Sequence, residues 1–375
     1  MLKGKRILIA AGGTGGHINP ALGTAGYIKE KDPDAEIIFV GTKDKMEARL
    51  VPQAGYELRT IDISGFYRSF SPEAIKHNLG TLSKLLRASS QAKKIIKDFK
   101  PDLVVGFGGY VSGPVLRMAA KMGVPTAIHE QNAFPGVTNK ALAGRVDRVM
   151  LTAKQAEKYM KPKNPCVVTG LPIRGDILRV DPDFAKAELQ LGGKPLILSM
   201  GGSLGAKPVN DAVLGMILKK NKANDCVFLH ATGKGGDWFV EELRKAGVDP
   251  AGHPNIRVVE YIDIPKCLPA ADLVISRSGA SSLSEIQALG KPSILIPSPY
   301  VTENHQYHNA MVLGKAGAAI VIEQKDLTDE LIINEAKKLC SDPARLDDLA
   351  RKAHEQCITD TPDRIYKAIT DVMKK

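Results

Sequence analysis

The chain has 375 residues, 43% of them hydrophobic and 25% charged, with a net charge of +11. That is the make-up of a folded protein with room for two cores, and it excludes a disordered or collagen-like chain. Five scattered cysteines without a Cys-x-x-Cys pair point to reduced thiols in a cytoplasm, no run approaches the roughly 20 apolar residues that span a bilayer, and aromatics at 5% with no recognition motif argue against nucleic acid as a partner.

The first predicted element is a strand over 6–11, which opens onto Gly12-Gly13-Thr14-Gly15-Gly16-His17. Glycine permits a tight turn and lets backbone N–H groups approach an anion, and a following helix turns its positive end to the same point. A dinucleotide fingerprint is incomplete here. The third glycine of Gly-x-Gly-x-x-Gly is missing, and the second strand, 36–41, ends without an acid for the ribose. His17 stands where loop becomes helix, and the positive helix end favours a neutral imidazole that can act as general base. The plain alternative is a histidine that only caps the helix.

Further strands are expected at 57–63, 103–106, 126–129 and 148–151, with helices at 20–31, 71–98 and 113–122. The alternation predicts a parallel sheet covered by helices on both faces, an α/β architecture. Residues 71–100 carry Lys76, Lys84, Arg87, Lys93, Lys94, Lys97 and Lys100 against Glu73 and Asp98, with Leu79, Leu82, Leu86 and Ile96 at largely helical spacing. Such a stretch fits either an anionic membrane surface or a helix with its apolar face in the core and its lysines in solvent. Gly106-Phe107-Gly108-Gly109 forms another glycine turn after a strand. His129-Glu130-Gln131-Asn132 follows the apolar run 124–128, where parallel sheets bind ligands. Glu130 can accept a proton or orient a hydroxyl there, or the segment is a polar loop that caps the next helix.

Pro162-Lys163-Asn164-Pro165 reads as a linker. The domains are accordingly expected at 1–165 and 166–361, with a last helix, 362–375, returning to the first. In the second half strands are expected at 166–169, 196–200, 227–231, 256–260, 273–276, 293–296 and 319–322, and helix from 328 onward. The strand 196–200 runs into Gly201-Gly202-Ser203-Leu204-Gly205-Ala206, a second copy of the opening turn. Residues 276–285 follow another buried strand and start a helix with exposed N–H groups, a cradle for a diphosphate; Glu285 can clamp a ribose diol. Asn304, His305, Gln306, Tyr307, His308 and Asn309 then cluster hydrogen-bonding side chains.

Together the turns at 12–17 and 201–206, the segments 129–132 and 276–285, and Glu303-Asn304-His305-Gln306 resemble glycosyltransferase family 28, bacterial enzymes that add N-acetylglucosamine to lipid-linked muramoyl-pentapeptide. The resemblance covers essentially the whole chain. It implies the GT-B fold, two Rossmann-like parallel-sheet domains facing across a cleft, with UDP-GlcNAc held mainly by the C-terminal domain. The lipid-linked MurNAc-pentapeptide acceptor would dock on the N-terminal domain at the cytoplasmic face of the cell membrane, where part of 71–100 and Lys140 would meet anionic lipid. It places the donor against Thr14, Gly15, Gly16 and Asn132, its diphosphate by Arg174 and Ser203, and its uracil by Ile262. Ala280, Ser281, Ser282, Leu283, Ser284 and Glu285 would form the helix start and ribose clamp, and Gln306 would bind the sugar. His17 is the first candidate base and Glu130 the second, in an inverting transfer that calls on no cofactor and no metal. Two departures touch neighbouring contacts: Leu171-Pro172-Ile173-Arg174 stands in place of Asn-Pro-[Val/Ile]-Arg, and Leu204 and Lys207 stand where Gln and Arg are common. Another GT-B enzyme, such as a glycolipid synthase or a UDP-GlcNAc 2-epimerase, is the alternative, and a non-catalytic nucleotide-sugar-binding protein is a further one.

Overall fold

Alternate residues of the opening strand, β1 (Arg6–Ala10), enter different cores: Leu8 and Ala10 pack to one side, Ile7 and Ile9 to the other. A strand buried on both faces belongs inside a parallel sheet covered by helices. A computed structural model of the chain describes residues 2–64, 72–173, 177–220 and 224–374, with side chains from residue 84 onward in the helix that starts at 72. The chain divides into one unit of Met1–Pro172 with Ile358–Lys375 and a second of Ile173–Cys357.

In the first unit, β1 is followed by α1 (Gly15–Lys31), β2 (Glu36–Gly41), α2 (Glu47–Gln53), β3 (Glu57–Thr60), α3 (Pro72–Phe99), β4 (Leu103–Gly106), α4 (Gly109–Lys121), β5 (Thr126–Glu130), α5 (Val137–Leu142), β6 (Arg148–Leu151) and β7 (Val167–Val168). The strands form one parallel sheet in the order β3-β2-β1-β4-β5-β6-β7. The order reverses at β1, and in open parallel sheets ligands bind beyond the carboxyl ends of the strands at such a switch.

The second unit repeats the plan with α6 (Pro182–Glu188), β8 (Leu196–Met200), α7 (Lys207–Lys220), β9 (Val227–Ala231), α8 (Trp238–Lys245), β10 (Ile256–Val259), α9 (Ile264–Cys267), β11 (Leu273–Ser276), α10 (Ala280–Ala288), β12 (Ser293–Leu295), α11 (His305–Lys315), β13 (Ile320–Val321), α12 (Asp329–Cys340) and α13 (Pro343–Glu355). Its sheet is also parallel, ordered β10-β9-β8-β11-β12-β13, so β8 is its switch strand. Leu196, Leu198 and Met200 face one core and Ile197 the other.

The last helix, α14 (Thr361–Met373), belongs to the first unit. Its Ile365, Ala368, Ile369 and Val372 recur at helical spacing and share a core with Ala21, Ala25 and Ile28 of α1. The boundary expected at 165 falls too early. Val167 and Val168 pair with Met150 and Leu151 as the edge of the first sheet, and the Thr169 N–H donates to the Leu151 carbonyl at 2.8 Å, so the chain leaves this unit only after Pro172.

Two helices also begin earlier than expected. The sequence places their starts at Pro20 and Gly113, yet α1 begins at Gly15 and α4 at Gly109, with Pro20 and Pro114 inside. Each proline removes an N–H from the ladder within the first two turns. Burial of Ile18 and Val111, ahead of the prolines, holds the extra turn in place. On α3, Ala88, Ala92, Ile96 and Phe99 form the buried stripe, while Lys93, Lys94 and Lys97 are exposed. Leu86 is 71% exposed on the same helix.

Candidate active site

At the switch of the first unit, three turns meet beyond β1, β4 and β5. Gly108 and Gly109 have φ of +90° and +75°, and a Cβ on Gly109 would lie 2.4 Å from the Gly12 carbonyl oxygen. Only glycine allows that approach. A Cβ on Gly108 would meet the His17 ring at 2.9 Å, so the imidazole lies along the second turn. The His17 Nδ1 contacts the Gly12 carbonyl oxygen at 3.1 Å and Thr14 Oγ1 at 3.3 Å. A carbonyl only accepts, so Nδ1 carries the proton and the ring lone pair is at Nε2.

The segment after β5 is organised from within. Glu130 is 1% exposed, and its Oε1 accepts from the Asn132 N–H (2.9 Å) and Nδ2 (3.2 Å). Its Oε2 accepts from the Gly136 N–H (3.0 Å) and Asn139 Nδ2 (2.8 Å). Burial pushes this carboxyl up while the four donors pull it down. Both oxygens are engaged in holding the loop that presents Asn132. His129 is wholly buried against Phe107, with its Nε2 donating to the Gly170 carbonyl at 2.8 Å. Burial lowers its pKa to about 4, so it stays neutral.

Beside the first turn lies a cavity of about 870 Å³, whose lining includes Gly13, Thr14, Thr42, Tyr110 and Gln91 with Lys43, Asp44, Lys45, Asp62 and Lys84. Lys84 stands 3.8 Å from Asp62. Sequence reasoning passed over Glu47, which is fully buried beneath the turn. Its carboxylate accepts from the Thr42 N–H (3.0 Å), Thr42 Oγ1 (2.7 Å) and the Gly13 N–H (3.0 Å). A Cβ on Gly12 would come within 2.7 Å of its Oε1, and one on Gly41 within 2.5 Å of its Cγ. The only signal in the sequence was two glycines at strand ends that leave room for it.

In the second unit the turn 201–206 lies against the end of β9. A Cβ on Gly205 (φ +75°) would sit 2.3 Å from the Thr232 carbonyl oxygen, and the Lys234 N–H donates to the Ser203 carbonyl at 3.3 Å. Ser203 is exposed and Leu204 is 79% exposed. Adjacent, beyond β11, Gly279 caps α10 with extended backbone. Ala280, Ser281 and Ser282 form the half-exposed first turn, and Leu283, Ser284 and Glu285 are buried behind it. Ser278 Oγ donates to the Gln306 carbonyl at 2.9 Å, and Gln306 Oε1 accepts from the Ser298 N–H at 2.9 Å, which fixes the orientation of that amide. Beneath them Arg277, 8% exposed, donates to the Ile296 carbonyl (3.1 Å) and Gln324 Oε1 (2.6 Å) and pins the start of the helix. Glu303 and Asn304, just before α11, both have left-handed backbone with φ of 56° and 49°. Such positions cost non-glycine residues on the order of 1 kcal/mol each and cluster at functional sites.

The structure therefore gathers Thr14, Gly15, Gly16, His17, Glu130 and Asn132 in one unit and Ser203, Ala280, Ser281, Ser282, Leu283, Ser284, Glu285 and Gln306 in the other. Ile262 is half-buried and packs on the core of the second unit. Arg174 lies outside the described residues. Lys140, on α5, places its ammonium 4.7 Å from the centre of the Phe134 ring. Two Asp-x-Asp runs serve structure: Asp32 accepts from the Leu2 N–H (2.9 Å) and from Tyr366, and Asp181 caps α6. Among the described residues no helix is long and apolar enough to cross a membrane.

The glycosyltransferase family 28 N-terminal domain matches residues 7–151, and the family's C-terminal domain matches residues 196–365. The chain is 45% identical over 371 residues to a UDP-N-acetylglucosamine–N-acetylmuramyl-(pentapeptide) pyrophosphoryl-undecaprenol N-acetylglucosamine transferase of Acetivibrio thermocellus, covering 98% of each chain. It is 42% identical to the protein of the same description from Ruminiclostridium cellulolyticum, covering 98% of this chain and all of that one. Among solved structures it is similar to MurG of Acinetobacter baumannii, with a TM-score of 0.77, 29% identity, and 98% and 99% of the two chains covered.

Proposed function

Since the chain belongs to glycosyltransferase family 28, we propose that it transfers N-acetylglucosamine from UDP-GlcNAc to the 4-hydroxyl of MurNAc-pentapeptide-diphospho-undecaprenol, making the lipid-linked disaccharide of peptidoglycan synthesis. The observation that carries this reading is the 45% identity to a transferase of that description along the full chain.

In this proposal the donor lies on the second unit. Backbone N–H groups at Ser203 and at the start of α10, with Arg174, take up the charge that grows on the departing diphosphate. Glu285 holds the ribose, Ile262 lies by the uracil and Gln306 binds the sugar, while Thr14, Gly15, Gly16 and Asn132 are assigned to its far end. The acceptor hydroxyl attacks the anomeric carbon as its bond to the diphosphate oxygen breaks, and the configuration inverts. His17 takes the hydroxyl proton at Nε2, a role supported by the proton held at Nδ1. Glu130 is assigned to positioning, because its oxygens already accept from Asn132, Gly136 and Asn139.

A lipid-borne acceptor brings the protein to the cytoplasmic membrane surface as a peripheral visitor. Supporting this are exposed Leu86 and Arg87, with Lys93, Lys94 and Lys97, on α3. The test is transfer of labelled N-acetylglucosamine to a lipid-linked muramoyl acceptor, with and without chelator, beside an incubation of UDP-GlcNAc without acceptor. Labelled lipid product is expected. Conversion of the nucleotide sugar to its 2-epimer without acceptor would overturn the reading in favour of an epimerase.

A further inference from the structure

We propose that Glu47 is a positioning residue for the base, acting on His17 through the one peptide group that joins Gly12 to Gly13. The inference rests on the reading of His17 as base given above.

The two ends of that peptide group are bound to different partners. Its N–H, from Gly13, donates to Glu47 Oε2 at 3.0 Å, and its carbonyl, from Gly12, accepts from His17 Nδ1 at 3.1 Å. The order is carboxylate, N–H, C=O, H–N, imidazole. A peptide whose N–H is bonded to an anion has a more strongly accepting carbonyl, since hydrogen bonds in series polarise one another. The carboxylate thus strengthens the bond that keeps the proton at Nδ1, stabilises the imidazolium formed when Nε2 takes a proton, and fixes the ring plane. It does what a carboxylate in direct contact does for a catalytic histidine, with one amide interposed.

The surroundings suit this role. All three partners of Glu47 are donors, two from Thr42 and one from Gly13, so the carboxyl acts only as acceptor, as the ionised form must. Gly12 and Gly41 have hydrogen where a methyl would strike it. The equivalent turn of the other unit is built differently: Gly205 there lies against the Thr232 carbonyl. Two turns alike in sequence are therefore unlike in chemistry, and the one with a built-in anion is the one that carries the histidine.

Other titratable groups on the elements around this corner are Lys43, Asp44 and Lys45 after β2, Tyr110 on α4, and His129 and Glu130 on β5. Tyr110 is raised by burial and by the charges of Glu47 and Asp44, and His129, lowered to about 4, stays neutral in the relevant range.

The test is a titration of the His17 ring by ¹⁵N NMR in the full chain, assigned with His17→Gln, in wild type, Glu47→Gln and Glu47→Asp. In wild type the Gly13 amide proton should titrate with the His17 midpoint. In Glu47→Gln the midpoint should fall by about half a pH unit or more, as loss of a nearby opposite charge requires, and Glu47→Asp should restore part of the shift. The acid limb of the kcat profile should move in parallel, with kcat down about ten- to hundredfold and UDP affinity unchanged. A Gly13 amide indifferent to the His17 titration, or a folded Glu47→Gln protein whose His17 midpoint matches wild type, overturns the relay. Full turnover by His17→Ala overturns the base assignment instead, and the ring titration distinguishes the two failures.

Discussion

Gly109 and Gly123 make a matched pair, because both have φ of +75° but only one is crowded. An added Cβ at Gly123 meets nothing within 4 Å, whereas at Gly109 it lies 2.4 Å from the Gly12 carbonyl oxygen. Alanine at either site carries the left-handed backbone penalty of about 1 kcal/mol. At Gly109 the methyl and the oxygen must also separate by roughly 1 Å to reach ordinary contact, and such overpacking costs about 1–3 kcal/mol more. Urea titration followed by circular dichroism should therefore find Gly109→Ala less stable than Gly123→Ala by about 1–3 kcal/mol. The displaced Gly12 carries the partner of His17, so Gly109→Ala should also lose turnover at saturating substrates while Gly123→Ala keeps it. Equal destabilisation in the two variants, or full turnover by Gly109→Ala, would refute the close approach of these turns and its link to the histidine.

His17→Ala should lower kcat by about 10²–10⁴ while leaving the KM for UDP-GlcNAc near wild type, as removal of a base does, read in the transfer assay. Glu285→Ala should weaken UDP binding by about tenfold or more in calorimetry, the loss expected when a charged hydrogen-bonding partner is removed; unchanged affinity would take Glu285 out of the ribose clamp. His129 and His230 are buried and neutral, both lowered to about 4 from an ordinary 6.5. The unfolded chain binds those protons first, so their contribution to stability is complete above pH 6.5 and is lost as pH falls from 6.5 to 4, by up to about 3 kcal/mol for each histidine. His129→Gln should flatten this acid limb for the first unit; an unaltered slope would place the proton uptake elsewhere.

Most of the sheet was legible because both units announce their switch strands twice over. Residues 7–11 are apolar throughout and 196–200 are so but for Ser199, as suits strands covered on both faces, and each runs into glycines. The boundaries were less so. The helix starts read at Pro20 and at Gly113, just before Pro114, because proline is best tolerated in a first turn, and nothing local reveals that burial of Ile18 and Val111 carries each helix a turn further back. The short α2, with Pro52 inside, offers too little periodicity to find. Glu47 and Glu130 expose the deeper limit. A glutamate in sequence looks the same whether it faces solvent, a substrate or a set of buried backbone and side-chain donors, and which of these holds depends on how the chain folds around it.

The last helix completes a core whose other members are translated first. Ala21, Ala25 and Ile28 of α1 find their cover in Ile365, Ala368, Ile369 and Val372 of α14, and the whole of Ile173–Cys357 must leave the ribosome before those residues do. The second unit can close on itself as it emerges, while the first, begun earlier, waits with an apolar groove open until α14 has followed. Chains that stop before residue 361 therefore lack the cover for that groove, the kind of exposed apolar surface that makes incompletely folded species prone to aggregation.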